Sequence, residues 1–199
     1  FMEYNKNKKG KYEKLKQQNV DTGMGVERTI MSLENYDNIF EIDVLKPLMT
    51  KVDKLAKKNN IKSKRIIVDH LRAACFILNE EIVPSNLEQG YVLRRLIRRA
   101  IRHGRLLGIN HRFCKEIVNE VFKSHDYKFN KKFILDEISK EEERFDRSLN
   151  QGMRVFEKES KKLKSKKIEG KLAFTLFASY GFPLEMTEEI AKEKGFKVD

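Results

Sequence analysis

Cysteine and tryptophan are scarce in this 199-residue chain, which contains two Cys and no Trp. The cysteines, Cys75 and Cys114, both lie in apolar-rich stretches. A single pair cannot build the disulfide framework of a small secreted domain. We therefore expect two buried, reduced thiols in a cytoplasmic protein.

Long hydrophobic runs and targeting signals are also missing from the sequence. No stretch of 18 apolar residues occurs, so we expect no membrane span. Residues 1–5 carry neither the basic nor the apolar region of a secretory signal. Because Phe1 precedes the first Met, we expect the chain to be a piece of a longer protein.

Acidic residues are too few to balance the basic ones. The chain has 42 Lys and Arg against 30 Asp and Glu, a formal net charge of +12 and a pI near 9.6. This excess favours a polyanionic partner, with nucleic acid ahead of an acidic membrane surface. The 13 Phe and 6 Tyr argue against disorder.

Only three prolines interrupt the chain, which leaves long stretches free to be helical. Apolar residues recur at helical spacing in six segments, at 43–58, 66–79, 87–107, 133–163, 172–179 and from about 187. Residues 1–20 are typical of strand and loop, and residues 20–33 of a strand end, a glycine turn and a helix. The sequence therefore predicts a mainly α fold, with a helical domain preceded by a short strand–turn–helix segment.

The segment 89–115 is the most informative local feature, because it contains no acidic residue. Its eight cations are Arg94, Arg95, Arg98, Arg99, Arg102, Arg105, Arg112 and Lys115. Arginine binds phosphate bidentately and stacks on bases, so the segment predicts contact with nucleic acid. The alternative is a solvated helix face whose arginines partly pair with acidic residues at 137–143.

A second feature is the run Asp21–Arg28, in which Gly23 and Gly25 precede a helix. Glycines let backbone approach a ligand closely, a first helical turn can hold phosphate, and Arg28 adds a positive charge. Asp21 could bind an ammonium group. A plain strand–turn–helix junction is the alternative.

Several motifs together carry a resemblance to one family. Asp21–Arg28 resembles motif 3 of class II aminoacyl-tRNA synthetases, G-x-G-x-x-R. The segments 68–72, 84–86, 90–104, 141–145 with Leu149 and Gly152, and 180–183 resemble the alanine-specific branch, in order along the chain. The resemblance implies the end of a catalytic domain over residues 1–40 and a helical tRNA-recognition domain over 41–199.

The resemblance also implies an activity and a set of catalytic-domain residues. The family joins alanine to ATP as alanyl-adenylate, with Mg²⁺, and transfers alanine to the terminal adenosine of its tRNA. By this likeness Asp21 holds the alanine ammonium, Gly23 and Gly25 shape the adenylate floor, and Arg28 contacts the ATP phosphates.

For tRNA, the resemblance implies that Asn86 reads the G·U wobble pair of the acceptor stem from the minor groove. Side chains cannot read the deep, narrow major groove of A-form RNA, so this route is physically expected. Arg95, Arg98, Arg99 and Arg102 would then bind the neighbouring phosphates. The alternative role for Asn86 is a helix N-cap.

The sequence departs from the family at Ala178, where relatives carry an Asp that helps to read the wobble pair. An alanine side chain cannot accept a hydrogen bond from the guanine amino group. We therefore expect Asn86 to act alone or Glu185 to substitute, with relaxed selectivity for G·U.

The family's motifs 1 and 2, which build most of the ATP site, do not occur in this sequence. We expect the remaining part of the synthetase to supply them, and the chain alone to be inactive. A stand-alone helical RNA-binding module is the alternative, although such a module has no use for Asp21 and Arg28. The four histidines show no metal-ligand spacing with either cysteine, so we expect no metal site within the chain.

Overall fold

The computed structural model describes residues 2–19, 23–163 and 165–199. The chain divides into two compact units, residues 1–42 and 43–199, and each is described by itself. The resemblance had implied a division after residue 40. The functional assignment of the two units stays a prediction.

The first unit begins with a hairpin of two antiparallel strands, β1 (Met2–Lys6) and β2 (Tyr12–Asn19). The side chain of Asn7 stabilises the turn by accepting hydrogen bonds from the backbone N–H groups of Lys9 and Lys11, at 2.9 and 3.1 Å. Gly10 has a φ of 79°, which a residue with a side chain rarely adopts. The strand and loop predicted for residues 1–20 are confirmed over the described residues.

Helix α1 (Val26–Leu33) and a 3₁₀ turn at Ile39–Glu41 complete the first unit. Gly25 is the N-cap residue of α1, and no side chain caps the helix. No residue of α1 is fully buried. This unit therefore has little core of its own.

The second unit contains seven helices and two short strands within the described residues. They are α2 (Lys46–Leu55), α3 (Ile61–Asn79), α4 (Glu88–Leu106), α5 (Cys114–Ser124), α6 (Lys131–Ser160), β3 (Lys167–Ile168), α7 (Gly170–Tyr180), α8 (Leu184–Glu193) and β4 (Lys197–Val198). The mainly α prediction is confirmed.

Helices α3 and α4 pack along each other at the centre of the second unit, and α2, α5 and α6 surround α3. Helix α6 also packs against α4 and α7. The stripe predicted on α6 forms part of the core, since Ile134, Ile138, Phe145, Leu149 and Phe156 are buried. This packing holds the arginine-rich α4 between α3 and α6.

The structure extends one predicted helix and adds a helix that was not predicted. Helix α3 begins five residues before the predicted 66, because the side chain of Asn60 caps it by accepting from the Ser63 N–H at 2.9 Å. No helix is predicted between 108 and 132, but the structure has α5 there, which buries Cys114, Ile117, Val118 and Val121. The intervals of three and four residues between them are helical, so this signal was present in the sequence.

The short parallel pair of β3 and β4 was also not predicted, because two-residue strands leave no periodic pattern. The prediction of buried, unpaired thiols is confirmed for Cys75 and Cys114. Burial raises the pKa of Cys75 to about 12, so its thiol stays protonated.

Candidate nucleic-acid interface

Helix α4 buries its apolar side, including Leu93, Ile97 and Ala100, which leaves its arginines on the remaining faces. Three of these arginines meet three carboxylates of α8. Arg95 Nη1 lies 2.5 Å from Glu185 Oε1, Arg99 pairs with Glu189, and Arg102 Nη2 lies 2.6 Å from Glu193 Oε2. We call this set the α4–α8 ion-pair ladder. It fixes α8 against α4.

Two further arginines of α4 converge on a single carboxylate of α6, Glu141, which is only 1% exposed. Arg98 Nε lies 2.6 Å and Arg94 Nε 3.4 Å from Glu141 Oε1. Arg98 Nη1 also donates to the backbone carbonyl of Gly181 at 2.6 Å. Arg98 therefore ties α4 to α6 and to the turn after α7.

The structure thus favours the alternative in which arginines of α4 pair with carboxylates of the chain itself. Among acidic residues at 137–143, Glu141 is the partner of Arg94 and Arg98, as that alternative allowed. The partners on α8 were missed, because they lie 90 or 91 residues further along the chain. The side-chain exposures are 37% for Arg95, 27% for Arg99, 12% for Arg98 and 5% for Arg102.

Two of the histidines belong to this polar network. His70 Nε2 lies 2.9 Å from Arg99 Nη1, and His70 Nδ1 lies 2.9 Å from Asp69 Oδ2. His103 Nδ1 lies 3.0 Å from Ser63 Oγ, and its Nε2 lies 3.6 Å from Glu189 Oε2. Over the described ranges, no three His, Cys, Asp or Glu side chains come together as a possible metal site.

Glu189 is the most perturbed acid of the network. Burial raises its pKa, but the contacts and charges of His103 and Arg99 outweigh burial and bring the pKa down to about 2. The carboxylate is therefore ionised at neutral pH and holds Arg99 in place.

A cleft of about 420 Å³ opens beside the start of α4. Its lining comes from the loop before α4, from α4, from α6, and from the end of α7 with the turn that follows. The lining residues are Asn86, Tyr91, Arg94, Arg95, Arg98, Ser148, Phe177, Ala178, Ser179, Tyr180, Gly181 and Pro183. The structure therefore brings together Asn86, two of the predicted arginines and the divergent Ala178. Arg99 and Arg102 do not line this cleft.

Asn86 is exposed and does not cap α4. The N-cap residue is Leu87, which makes no side-chain capping bond. Instead, Arg94 Nη1 donates to Asn86 Oδ1, and Arg94 Nη2 donates to the Pro84 carbonyl at 2.9 Å. The capping alternative for Asn86 is therefore wrong, and Arg94 orients its side-chain amide.

Aromatic rings and hydroxyl groups also line the cleft. Phe177 and Tyr91 meet edge to face, with ring centroids 6.5 Å apart. Glu185 is not part of the lining, and its carboxylate is paired with Arg95. The structure offers the hydroxyls of Ser148, Ser179 and Tyr180 instead, which sequence reasoning missed because Ser148 reaches the cleft only through the packing of α6.

In the first unit, Gly23, Gly25 and Arg28 are all exposed. A Cβ atom at Gly23 would meet no described atom within 4 Å, so a ligand can approach the backbone there. Asp21 lies outside the described residues. Among the described parts of the chain, no helix is long and apolar enough to cross a membrane.

The comparisons with known proteins agree with this sequence pattern. The family model described as tRNA synthetases class II (A) matches residues 1–199. The chain is 43% identical to "Alanine--tRNA ligase" of Borrelia hermsii (strain HS1 / DAH) over 212 residues, which cover all of this chain and 36% of the relative. It is 40% identical to "Alanine--tRNA ligase 1" of Lachnoclostridium phytofermentans (strain ATCC 700394 / DSM 18823 / ISDg), covering all of this chain and 24% of the relative.

A third relative, "Alanine--tRNA ligase" of Francisella tularensis subsp. novicida (strain U112), is 38% identical over 206 residues. The chain covers 24% of that protein. It therefore spans 24% to 36% of these relatives' length. Since the family model matches its whole length, the chain belongs to the class II (A) tRNA synthetases.

Proposed function

We propose that this chain is the part of an alanine–tRNA ligase that supplies motif 3 and recognises the acceptor stem of alanine tRNA. The observation that carries the proposal is the cleft, where Asn86 and cationic side chains of α4 share one surface with the end of α7. The relatives' names support alanine as the amino acid.

Asn86 is the proposed reader of the G·U pair. Arg94 donates to its Oδ1, which orients the amide and leaves its NH₂ group and one oxygen lone pair for the minor groove. The guanine amino group is a donor and needs an acceptor. Ala178 supplies none, so we expect the Asn86 oxygen and the cleft hydroxyls to provide it and the preference for G·U to be modest.

The four arginines predicted to bind phosphate differ in their exposure to solvent. Arg95 is the most exposed and lines the cleft, which supports direct contact with phosphate. Arg98 and Arg102 are bound to carboxylates and largely buried. For Arg98, Arg99 and Arg102, direct contact stays a prediction that requires exchange of their carboxylate partners for phosphate.

The activation chemistry is proposed for the longer protein. Gly23, Gly25 and Arg28 are exposed, and the open space at Gly23 fits a bound adenylate. Arg28 would hold ATP phosphates and offset charge as it develops on them, and Asp21 would hold the alanine ammonium. Bound ATP, with Mg²⁺, supplies the activated phosphoanhydride. The remainder of the synthetase, with motifs 1 and 2, is the expected partner.

The test compares the binding of two RNA hairpins to the full chain, one with the alanine acceptor stem and one with its G·U pair replaced by G·C. Asn86→Ala should weaken binding to the G·U hairpin by about 1–3 kcal/mol and affect the G·C hairpin less, because a base-edge contact is lost. Fluorescence anisotropy measures both affinities.

The matched control is Asn110→Ala, which removes an exposed amide in another loop. This control should bind both hairpins as the unaltered chain does. Equal losses on both hairpins for Asn86→Ala, or no binding of either hairpin by the unaltered chain, would contradict the proposed function.

A further inference from the structure

Arg144 of α6 differs from the arginines of α4 in having no carboxylate partner among the described residues. It is exposed, and within the described parts of the chain it makes no ion pair. In contrast, Arg95, Arg98 and Arg99 are each bound to a glutamate. An arginine without an internal partner keeps all five of its N–H donors for a ligand.

Arg144 is not among the residues that line the cleft, but its neighbours on α6 connect it to the cleft. On α6, residues three and four apart are neighbours. Glu141, three residues before Arg144, binds Arg94 and Arg98, and Ser148, four residues after it, lines the cleft. Arg144 therefore lies on α6 between Glu141, which binds two arginines of the cleft, and Ser148, which lines it.

The electrostatics of Arg94 agree with this placement. Burial lowers the pKa of the Arg94 guanidinium, Glu141 partly offsets this, and the charges of Arg98 and Arg144 lower it further. Arg144 thus acts at short range on a residue that lines the cleft. The charge of Arg144 therefore acts on Arg94, the residue that donates a hydrogen bond to Asn86.

The side chains at and beside the cleft carry an excess of positive charge, which favours the binding of an anion. Four guanidinium groups stand at or beside the cleft: Arg94, Arg95, Arg98 and Arg144. Their carboxylate partners are Glu141 and Glu185, which leaves an excess of two positive charges. A bound phosphodiester would reduce this excess without displacing either carboxylate.

We propose that Arg144 binds a backbone phosphate of the RNA whose base pair Asn86 reads. This inference rests on the proposed function and assigns the phosphate contact to α6, whereas the sequence had assigned such contacts to α4. An acidic protein segment would satisfy the same charge, but the amide and hydroxyl lining of the cleft favours RNA, which offers base edges and 2′-hydroxyls.

The experiment measures the affinity of the full chain for the alanine acceptor-stem hairpin over a series of salt concentrations. Arg144→Ala should weaken binding about tenfold and reduce the slope of log K against log[salt] by about 0.7 to 0.9, because one phosphate contact is lost. The loss should be equal for the G·U and G·C hairpins, since a phosphate carries no sequence information. Arg144→Lys should keep most of the slope.

The matched control is Arg154→Ala, an exposed arginine ten residues further along α6, which places it about 15 Å from Arg144. It should leave affinity and slope unchanged. If Arg144→Ala leaves the slope unchanged, or if Arg154→Ala lowers it equally, the inference fails while binding by the unaltered chain still supports the proposed function.

Two further outcomes separate the alternatives. Failure of the unaltered chain to bind either hairpin overturns the proposed function, and the inference with it. A polyglutamate peptide that binds the unaltered chain more tightly than the hairpin, and loses this binding in Arg144→Ala, indicates an acidic protein partner and overturns the assignment to RNA.

Discussion

Arg98 shows how one residue can join several parts of the fold around the cleft. Its guanidinium contacts Glu141, the carbonyl of Gly181 and the face of the Phe145 ring, whose centroid lies 5.1 Å away. Gly181 permits this, because a Cβ atom there would stand 1.8 Å from Arg98 Nη1 and the residue has a φ of 65°. The cleft therefore depends on a buried charge pair.

At this scale we predict that Glu141→Gln destabilises the chain by about 3 kcal/mol. Removing one partner of a buried ion pair leaves the other charge uncompensated, and here Arg94 and Arg98 both lose their carboxylate. Urea unfolding followed by circular dichroism measures the change.

Glu159→Gln is the control, because Glu159 makes a surface pair with Lys162 at 2.7 Å. It should leave the unfolding midpoint unchanged. Equal stabilities for Glu141→Gln and the unaltered chain would show that the buried pair does not hold α4 to α6.

At the scale of elements, the α4–α8 ion-pair ladder joins two helices that are far apart in the sequence. Its spacing follows from helix geometry, because residues 95, 99 and 102 on α4 and residues 185, 189 and 193 on α8 each lie on one face. The middle rung, Arg99–Glu189, also contacts His70 and His103. The ladder therefore couples α8 to α3 through α4.

The depressed pKa of Glu189 predicts a dependence of stability on pH. Its folded pKa of about 2 lies below the ordinary 4.5, so its contribution is complete above about pH 4.5 and is lost as the pH falls towards 2. The difference in unfolding free energy between the unaltered chain and Glu189→Gln should shrink over that range.

Urea titrations of both proteins at pH 7, 4.5 and 3 measure this difference. Glu193→Gln serves as the comparison, since the side chain of Glu193 is 46% exposed against 23% for Glu189. A difference for Glu189→Gln that stays constant from pH 7 to pH 3 would contradict the prediction.

At the scale of the whole molecule, the first unit exposes several large apolar side chains to solvent. Met24, Val26 and Leu33 are 77%, 67% and 76% exposed. A two-stranded hairpin is marginal by itself in water. These exposed residues fit the proposal that the remainder of a longer synthetase packs against this unit.

We predict no alanine-dependent ATP–pyrophosphate exchange by the purified chain. The proposed motif 3 would supply Arg28 as its cation, and one arginine beside an exposed glycine turn cannot by itself hold a triphosphate in line with a carboxylate. The exchange assay with labelled pyrophosphate checks this. Exchange that appears on adding a polypeptide with motifs 1 and 2 would support the proposal that this polypeptide supplies most of the ATP site. Exchange by the chain alone would contradict the prediction.

The sequence by itself determined the helical character of the second unit and the basic character of α4. Both depend on residues within about one helical turn of each other, so periodicity and local charge suffice to predict them. The glycine turn before Arg28 and the position of Asn86 at the start of α4 were equally readable.

Only the tertiary structure decided which partner each of these side chains meets. The sequence could not show that Glu185, Glu189 and Glu193 pair with the arginines of α4, because the chain between them folds through α5, α6 and α7 first. Nor could it show that Ser148 joins Asn86 in one cleft, or that Arg144 makes no ion pair with any residue that the structure describes. An ion pair or a cleft depends on which surfaces come into contact when the helices pack. Local patterns in the sequence do not predict these contacts between distant residues.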